Sequence, residues 1–267
     1  MTDDRGAARG LTPDQPFGTE GIRPLDRPDP LTRLLMKIVA WAERLNTRHA
    51  KLGSPWVYEN ARFPWVATLQ RQWPAIRAEL DRLLDRREEL PSISDISPDA
   101  QTISTDRGWK TFILTGYGFT SRPNTKLCPQ TWRAVQCIPG LTTAMFSIFE
   151  PGKRLPPHRG PYNGVLRLHL GLIVPPDRER VGIRIGEQTC HWMEGEVLIF
   201  DDAYRHEAWN ESDRVRVVLF VDFIKPLRFP ASALNWLLIK LAERSSFVRD
   251  CKERQRAWEV AFHRGAA

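Results

Sequence analysis

From Trp109 to Phe223 the chain is cut into seven short runs rich in β-branched and aromatic residues: WKTFILTGY, AMFSIFEPG, GVLRLHLGLIV, VGIRIG, EVLIFDD, RHEAWN and RVRVVLFVDF. Gly, Pro, Asn and Asp fall between them, and these residues close strands because they favour turn geometry or withhold a ladder donor. Only a short helix around Pro129 to Cys137 is expected to interrupt the series. So many short strands without intervening helices predict a closed or sandwiched antiparallel architecture such as a jelly roll, mainly β with flanking α-helices.

Helical periodicity brackets this region. Leu34, Leu35, Ile38, Val39, Trp41, Ala42 and Leu45 follow the helix-start signal Asp29-Pro30 and predict an amphipathic helix to about Asn46. A second helical stretch begins near Pro64 and runs, with a break before Pro74, through Ile76, Leu80, Leu83 and Leu84 to about Arg87, ahead of a Pro- and Ser-rich loop. Residues 1–30 hold five prolines and four glycines with little periodicity, the composition of an irregular arm. The expected organisation is an irregular N-terminal arm over 1–30, a helical flank over 31–108, a β core over 109–226 and a C-terminal amphipathic helical segment over 227–267. A chain of 267 residues suits one catalytic domain with such flanks.

The opening residues MTDDRGAARG carry no apolar core or small-residue cleavage site, and no run approaches bilayer-spanning length, so a cytoplasmic location is expected. Cys128, Cys137, Cys190 and Cys251 form no CxxC pair and no zinc spacing, which fits a reducing compartment. A net charge of +7 favours an anionic partner: an acidic small molecule, a lipid head group or nucleic acid. Basic and acidic residues are interleaved, and no helix-turn-helix, RRM or zinc-finger pattern is present, so no nucleic acid is expected as a partner.

Chemistry concentrates in three places. In the run from Val165, the side chains of Leu166, Leu168, Leu170 and Leu172 share one strand face, while Arg167 and His169 share the other, facing either solvent or a site. Eleven residues earlier His158 stands in PPHRGPYNG, a stiff loop of prolines and glycines suited to holding an imidazole in one orientation. Further on, His206 precedes a turn, and Arg216 lies inside the apolar run VRVVLFV. A guanidinium there stays charged and must meet an anion, since an unpaired buried charge costs on the order of 3–5 kcal/mol. That anion is either a protein carboxylate such as Asp201, Asp202 or Asp222, or the carboxylate of a ligand. In a barrel, the ten-residue step from His206 is expected to bring Arg216 alongside it on a neighbouring strand. A molecule that chelates a metal at one end and offers a carboxylate at the other, as 2-oxoglutarate does, then spans the two.

The stretches HRGPYNGVLRLHLGLIVP, GEVLIFDDAYRHEAWN and VRVVLFVDF resemble the aspartyl/asparaginyl β-hydroxylase family of iron(II)/2-oxoglutarate-dependent dioxygenases, in order and in spacing, over about residues 109–226. The resemblance implies a distorted double-stranded β-helix (jelly roll, cupin-like) core, Fe(2+) held by His158 and His206, and 2-oxoglutarate and O2 as co-substrates. It implies that Ser147 and Arg216 contact the distal carboxylate of 2-oxoglutarate, that Arg167 and His169 lie near its chelating end, and that Trp109, in GWKTF, matches a pocket tryptophan. Most enzymes of this chemistry place an acid two residues after the first histidine, where this chain has Gly160. The resembled family typically lacks that acid, with water in its place, whereas a halogenase uses such a vacancy for chloride.

The family's acceptors include aspartyl and asparaginyl residues and lipid acyl chains, and the core motifs do not separate them. A non-catalytic cupin-like binding module is the contrasting possibility. The C-terminal segment clusters Leu234, Trp236, Leu237, Leu238, Ile239 and Leu241 before a basic stretch, so it either packs on the barrel or a partner, or lies at the inner face of a membrane as a peripheral contact.

Overall fold

The structure is a computed structural model that describes residues 30–264, so the arm expected over 1–30 lies outside the described residues except for Pro30, which opens the first helix. The helices are α1 (Pro30–His49), α2 (Val66–Arg71), α3 (Trp73–Leu84), α4 (Ile93–Ile96), α5 (Arg122–Leu127), α6 (Pro129–Val135), α7 (Ala231–Ala242) and α8 (Ser246–Arg264). The strands are β1 (Val57–Tyr58), β2 (Trp109–Gly116), β3 (Phe119–Thr120), β4 (Leu141–Phe149), β5 (Arg154–His158), β6 (Val165–Ile173), β7 (Val181–Ile185), β8 (Gln188–Cys190), β9 (Val197–Phe200), β10 (His206–Asn210) and β11 (Arg216–Ile224). They form a seven-stranded sheet, β1-β9-β6-β11-β4-β2-β3, and a four-stranded sheet, β5-β10-β7-β8. All pairings between these strands are antiparallel.

The period of two in the strand sequences sorts the side chains into two cores. On β6, Leu166, Leu168, Leu170 and Leu172 join Phe112, Phe146 and Leu219 on the outer face of the large sheet, where Leu69, Ile76 and Leu80 of α2 and α3 cover them. The inner face contributes Trp109, Met145, Phe149, Val218 and Phe220, which meet Ile183, Ile185 and Ala208 of the small sheet. The chain is thus a two-sheet jelly roll whose large sheet carries helices on its back, as the strand pattern predicts.

Three local features differ from the sequence reading. The segment around His158 is a strand rather than a loop, because β5 lies at the edge of the small sheet, where prolines that cannot donate to a ladder are tolerated. An additional helix, α5, precedes the expected one, with the Ser121 hydroxyl accepting the Asn124 amide at its start. The C-terminal segment is two helices with different surroundings: Trp258 and Phe262 of α8 pack edge-on against Phe112, whereas Trp236, Leu237 and Leu241 of α7 are exposed.

The outer core fixes the strand that carries Arg167 and His169. Leu168→Ala, at a fully buried position, is expected to lower the unfolding free energy by about 2–5 kcal/mol in urea titration. A loss under about 1 kcal/mol would mean that the helical layer does not hold this strand.

Candidate functional site

His158 closes β5 and His206 opens β10, and the two are direct cross-strand partners. Their ring centroids lie 4.3 Å apart with planes inclined by 54°. Each Nδ1 meets the carbonyl oxygen two residues back: His158 that of Pro156 at 2.8 Å, His206 that of Tyr204 at 2.9 Å. A carbonyl can only accept, so Nδ1 carries the proton in both rings and each Nε2 keeps its lone pair. Burial holds His158 below the ordinary imidazole value and His206 well below it, with the neighbouring His158 and Arg167 adding to the effect on His206. Both rings are therefore neutral at neutral pH, the state a metal ligand requires. Among the described residues no group of three or more His, Cys, Asp or Glu side chains is arranged to hold a metal.

Arg216 enters the same inter-sheet space from the opposite side. The sequence reading put it beside His206 on a neighbouring strand; instead the turn after Asn210 crosses between sheets, so β10 belongs to the small sheet and β11 to the large one. Its guanidinium is 1% exposed and lies over the rings of Phe149, at 3.7 Å, and Trp192, at 4.6 Å. Nη1 donates to the Ser147 carbonyl at 3.3 Å, while Nε is buried without a partner. The acids named from the sequence as its partners are engaged elsewhere. Asp201 pairs with Lys225 at 2.6 Å, and Asp202 and Asp222 pair with Arg167 at 2.9 and 2.8 Å. Burial, with no carboxylate to offset it, lowers Arg216 to about 9, which still leaves it a cation at neutral pH.

A line of rings joins the two ends. His206 packs on Phe200 with centroids 5.8 Å apart, and Phe200 on His169 at 5.1 Å. Trp192, which covers Arg216, donates its indole N–H to His169 Nδ1 at 3.2 Å. That bond makes His169 Nε2 the protonated nitrogen, and it too is buried without a partner. Ser147 is buried on β4 and its hydroxyl accepts from Trp109 Nε1 at 3.0 Å, which leaves the hydroxyl proton free to be donated. Trp109 thus orients Ser147 from behind. Arg167 is held in a fork by Asp222 and Asp202 and lies over the Phe220 ring at 4.3 Å, and its charge reaches both imidazoles of the histidine pair. Between the sheets, then, stand two metal-competent nitrogens, an unneutralised guanidinium and further unmet donors.

Asp202, named from the sequence only as a possible partner of Arg216, has another place in the structure. A Cβ at Gly160 would lie 2.2 Å from its Oδ2, so Asp202 fills the space in which an acid at position 160 would stand. The Gly160 amide donates to the Asp202 carbonyl at 2.7 Å, which locks the approach. Its Oδ1 is buried without a partner, and burial together with Asp222 raises its carboxyl to about 7 against the opposing pull of Arg167. Its place four residues before His206 is the available signal, whereas the usual position of the acid, two residues after the first histidine, holds Gly160.

The profile of the family described as Aspartyl/Asparaginyl beta-hydroxylase matches residues 70–226. The chain is 60% identical over 251 residues to the ornithine lipid ester-linked acyl 2-hydroxylase of Rhizobium tropici, covering 94% of this chain and 89% of that protein. It is 31% identical over 193 residues to the human aspartyl/asparaginyl beta-hydroxylase, covering 70% of this chain and 24% of that protein. Among solved structures, the cupin domain of Schizosaccharomyces pombe Cnp3 superposes on 45% of this chain and 66% of its own with a TM-score of 0.30 and 10% identity, a likeness that carries no argument of its own. With more than half of the chain inside the family profile, this protein belongs to the aspartyl/asparaginyl beta-hydroxylase family, and it is a hydroxylase.

Proposed function

We propose that this hydroxylase is an iron(II)/2-oxoglutarate-dependent dioxygenase that hydroxylates an unactivated C–H bond on the ester-linked acyl chain of an amino-acid lipid. The observation that carries the cofactor reading is the buried guanidinium of Arg216, which among the described residues no carboxylate neutralises, in the same inter-sheet space as two neutral imidazoles whose Nδ1 atoms face carbonyl oxygens. These residues fit the cofactors: iron(II) would be held by His158 and His206, and a dicarboxylate would place its distal end against Arg216 and the Ser147 hydroxyl. When bound, the metal and 2-oxoglutarate supply the oxidising power, drawn from dioxygen, that inserts oxygen into the C–H bond, with succinate and carbon dioxide as co-products.

The chain's own residues bind, orient and exclude water. Arg216 offers a fixed charge in an apolar setting, where a carboxylate gains more than it does in water. Trp109 holds Ser147 so that its hydroxyl proton points away from the indole. His169 presents an Nε2–H with no protein acceptor, a donor for a ligand carboxylate. No side chain is needed as a general base.

Two observations support one acceptor and one reaction over the others. Similarity to the lipid hydroxylase is twice as high and extends over nearly the whole chain, α1 and α7 included, whereas similarity to the aspartyl/asparaginyl enzyme covers a quarter of that protein. At Gly160 the Asp202 carboxylate stands where a halogenase would need room for chloride, and a second anion beside it is opposed by charge. Hydroxylation of a lipid acyl chain, at C-2 as in the rhizobial relative, is therefore the reading supported best.

Three outcomes are expected. Arg216→Met should raise the dissociation constant for 2-oxoglutarate by roughly 100-fold, about 3 kcal/mol, while leaving the ligand-free protein as stable or more stable, because an unpaired buried charge is replaced by an apolar side chain. Calorimetric titration and thermal unfolding read the two effects, and a large loss of stability with unchanged affinity would assign Arg216 to the scaffold. Gly160→Ala should destabilise the protein by about 1–3 kcal/mol, and Asp202→Ala in the same chain should recover part of that cost; additive losses would show that the two positions do not compete for space. Incubated with iron(II), ascorbate and 2-oxoglutarate, the protein should add one oxygen to C-2 of the ester-linked chain of ornithine lipids, seen by mass spectrometry. Oxidation of aspartyl peptides with lipids untouched would overturn the acceptor reading.

A further inference from the structure

Eight of the twelve large hydrophobic side chains that are exposed among the described residues lie on α1, on α7 or immediately before α7, a concentration that chance scatter over the surface does not give. On α1, Leu34, Ile38 and Trp41 recur at helical spacing, each at least 40% exposed. On α7, Leu237 and Leu241 stand one turn apart, with Trp236 beside them and Phe229, 80% exposed, just before the helix. The two helices contact one another, so their apolar stripes belong to one region of the surface. Along the flank of the α1 stripe run Lys37, Arg44 and Arg48, all exposed and, among the described residues, without a carboxylate partner. An apolar stripe bordered by unneutralised basic residues, with a tryptophan on each helix, matches an anionic lipid surface in chemistry: rings and leucines reach the acyl boundary while the cations meet phosphate groups. Among the described residues no helix is long and apolar enough to cross a membrane, so such contact is made from one side.

Both helices are also fastened to the segment that leads out of the histidine pair. Glu43 of α1 accepts from Arg159 at 2.8 Å and from the Asn163 amide at 3.2 Å, and Asn46 donates to Tyr162 and Asn163 at 2.9 and 3.0 Å. Asn235 of α7 donates to the Gly164 carbonyl at 2.8 Å. Residues 159–164 follow His158 directly, so the exposed face lies on the far side of helices that grip the rim of the site. We infer that α1 and α7 together form a docking face for the interface of an anionic bilayer, seated so that the lipid presents its acyl chain beside residues 159–164. The inference rests on the lipid-acyl reading above and deepens it. C-2 of an ester-linked chain lies just below the head groups, at the depth that an interfacial helix reaches, so the lipid need not leave the membrane to present that carbon.

The test compares the full chain with an Ile38→Glu/Leu237→Glu variant, both sites being exposed and outside the histidine and arginine machinery. Co-sedimentation uses vesicles of phosphatidylglycerol with phosphatidylcholine, and of phosphatidylcholine alone. Binding should require phosphatidylglycerol, weaken with salt and fall about 100-fold in the variant. Circular dichroism and hydroxylation of detergent-dispersed lipid should be unchanged in the variant, while hydroxylation of lipid in vesicles falls with binding. A variant that binds vesicles as tightly as the parent overturns the docking face, as does a parent that is dimeric, loses the dimer on substitution and never binds vesicles. Lipid hydroxylated in detergent without any vesicle binding rejects the docking face and leaves the acceptor standing. Vesicle binding that the variant loses, with no lipid hydroxylated in either form, supports the face and rejects the acceptor.

Discussion

A buried positive charge between two sheets, uncompensated among the described residues, sets the terms for the rest of this protein. A buried cation without a counterion costs several kcal/mol, and the fold makes that cost tolerable without removing it. The rings of Phe149 and Trp192 beside Arg216 supply quadrupole attraction, and one backbone carbonyl takes a hydrogen bond. The acids that could have cancelled the charge are drawn off: Arg167 engages Asp202 and Asp222, and Lys225 engages Asp201. The two inner-face arginines thus have opposite environments, one doubly neutralised and one not neutralised at all. That asymmetry leaves a buried cation at a fixed place relative to the histidine pair, and under the proposed function a bound dicarboxylate would offset what folding leaves unmet.

Much of this arrangement could be read along the chain, because strand periodicity and charge are local properties. The alternation of leucines with Arg167 and His169 on β6 separates outer from inner core, and the burial of Arg216 follows from its apolar neighbours on both sides. What stayed hidden depends on contacts between distant segments. LPPH reads as a loop until its place at a sheet edge is known, since only there do two prolines leave the ladder undisturbed. Asp202 shows its part only when the chain brings it against Gly160, which turns an apparent gap beside the histidine pair into an occupied volume. Likewise the choice between a neighbouring strand and an opposing sheet for Arg216 depends on where the turn after Asn210 leads, which no spacing rule determines.

The outer helices divide between two tasks. Those behind the large sheet, with α8, supply the apolar cover of β6 and β11. In α1 and α7 the buried faces carry Glu43, Asn46 and Asn235 beside Ala42, Ala231 and Ile239, while most of the large apolar side chains are exposed. This inversion places hydrogen bonds where the helices must hold a catalytic rim, and hydrophobic surface where a substrate dissolved in lipid would be met.

Anaerobic titration of iron(II) and 2-oxoglutarate, followed by visible absorption, addresses the central claim directly. If the two imidazoles hold the metal while Arg216 holds the far end of the chelating acid, a charge-transfer band should appear only when both are present. It should vanish in His158→Ala and His206→Ala, and demand far more 2-oxoglutarate in the Arg216→Met protein. A band that survives loss of either histidine, or none in the parent protein at saturating concentrations of both, would contradict the account.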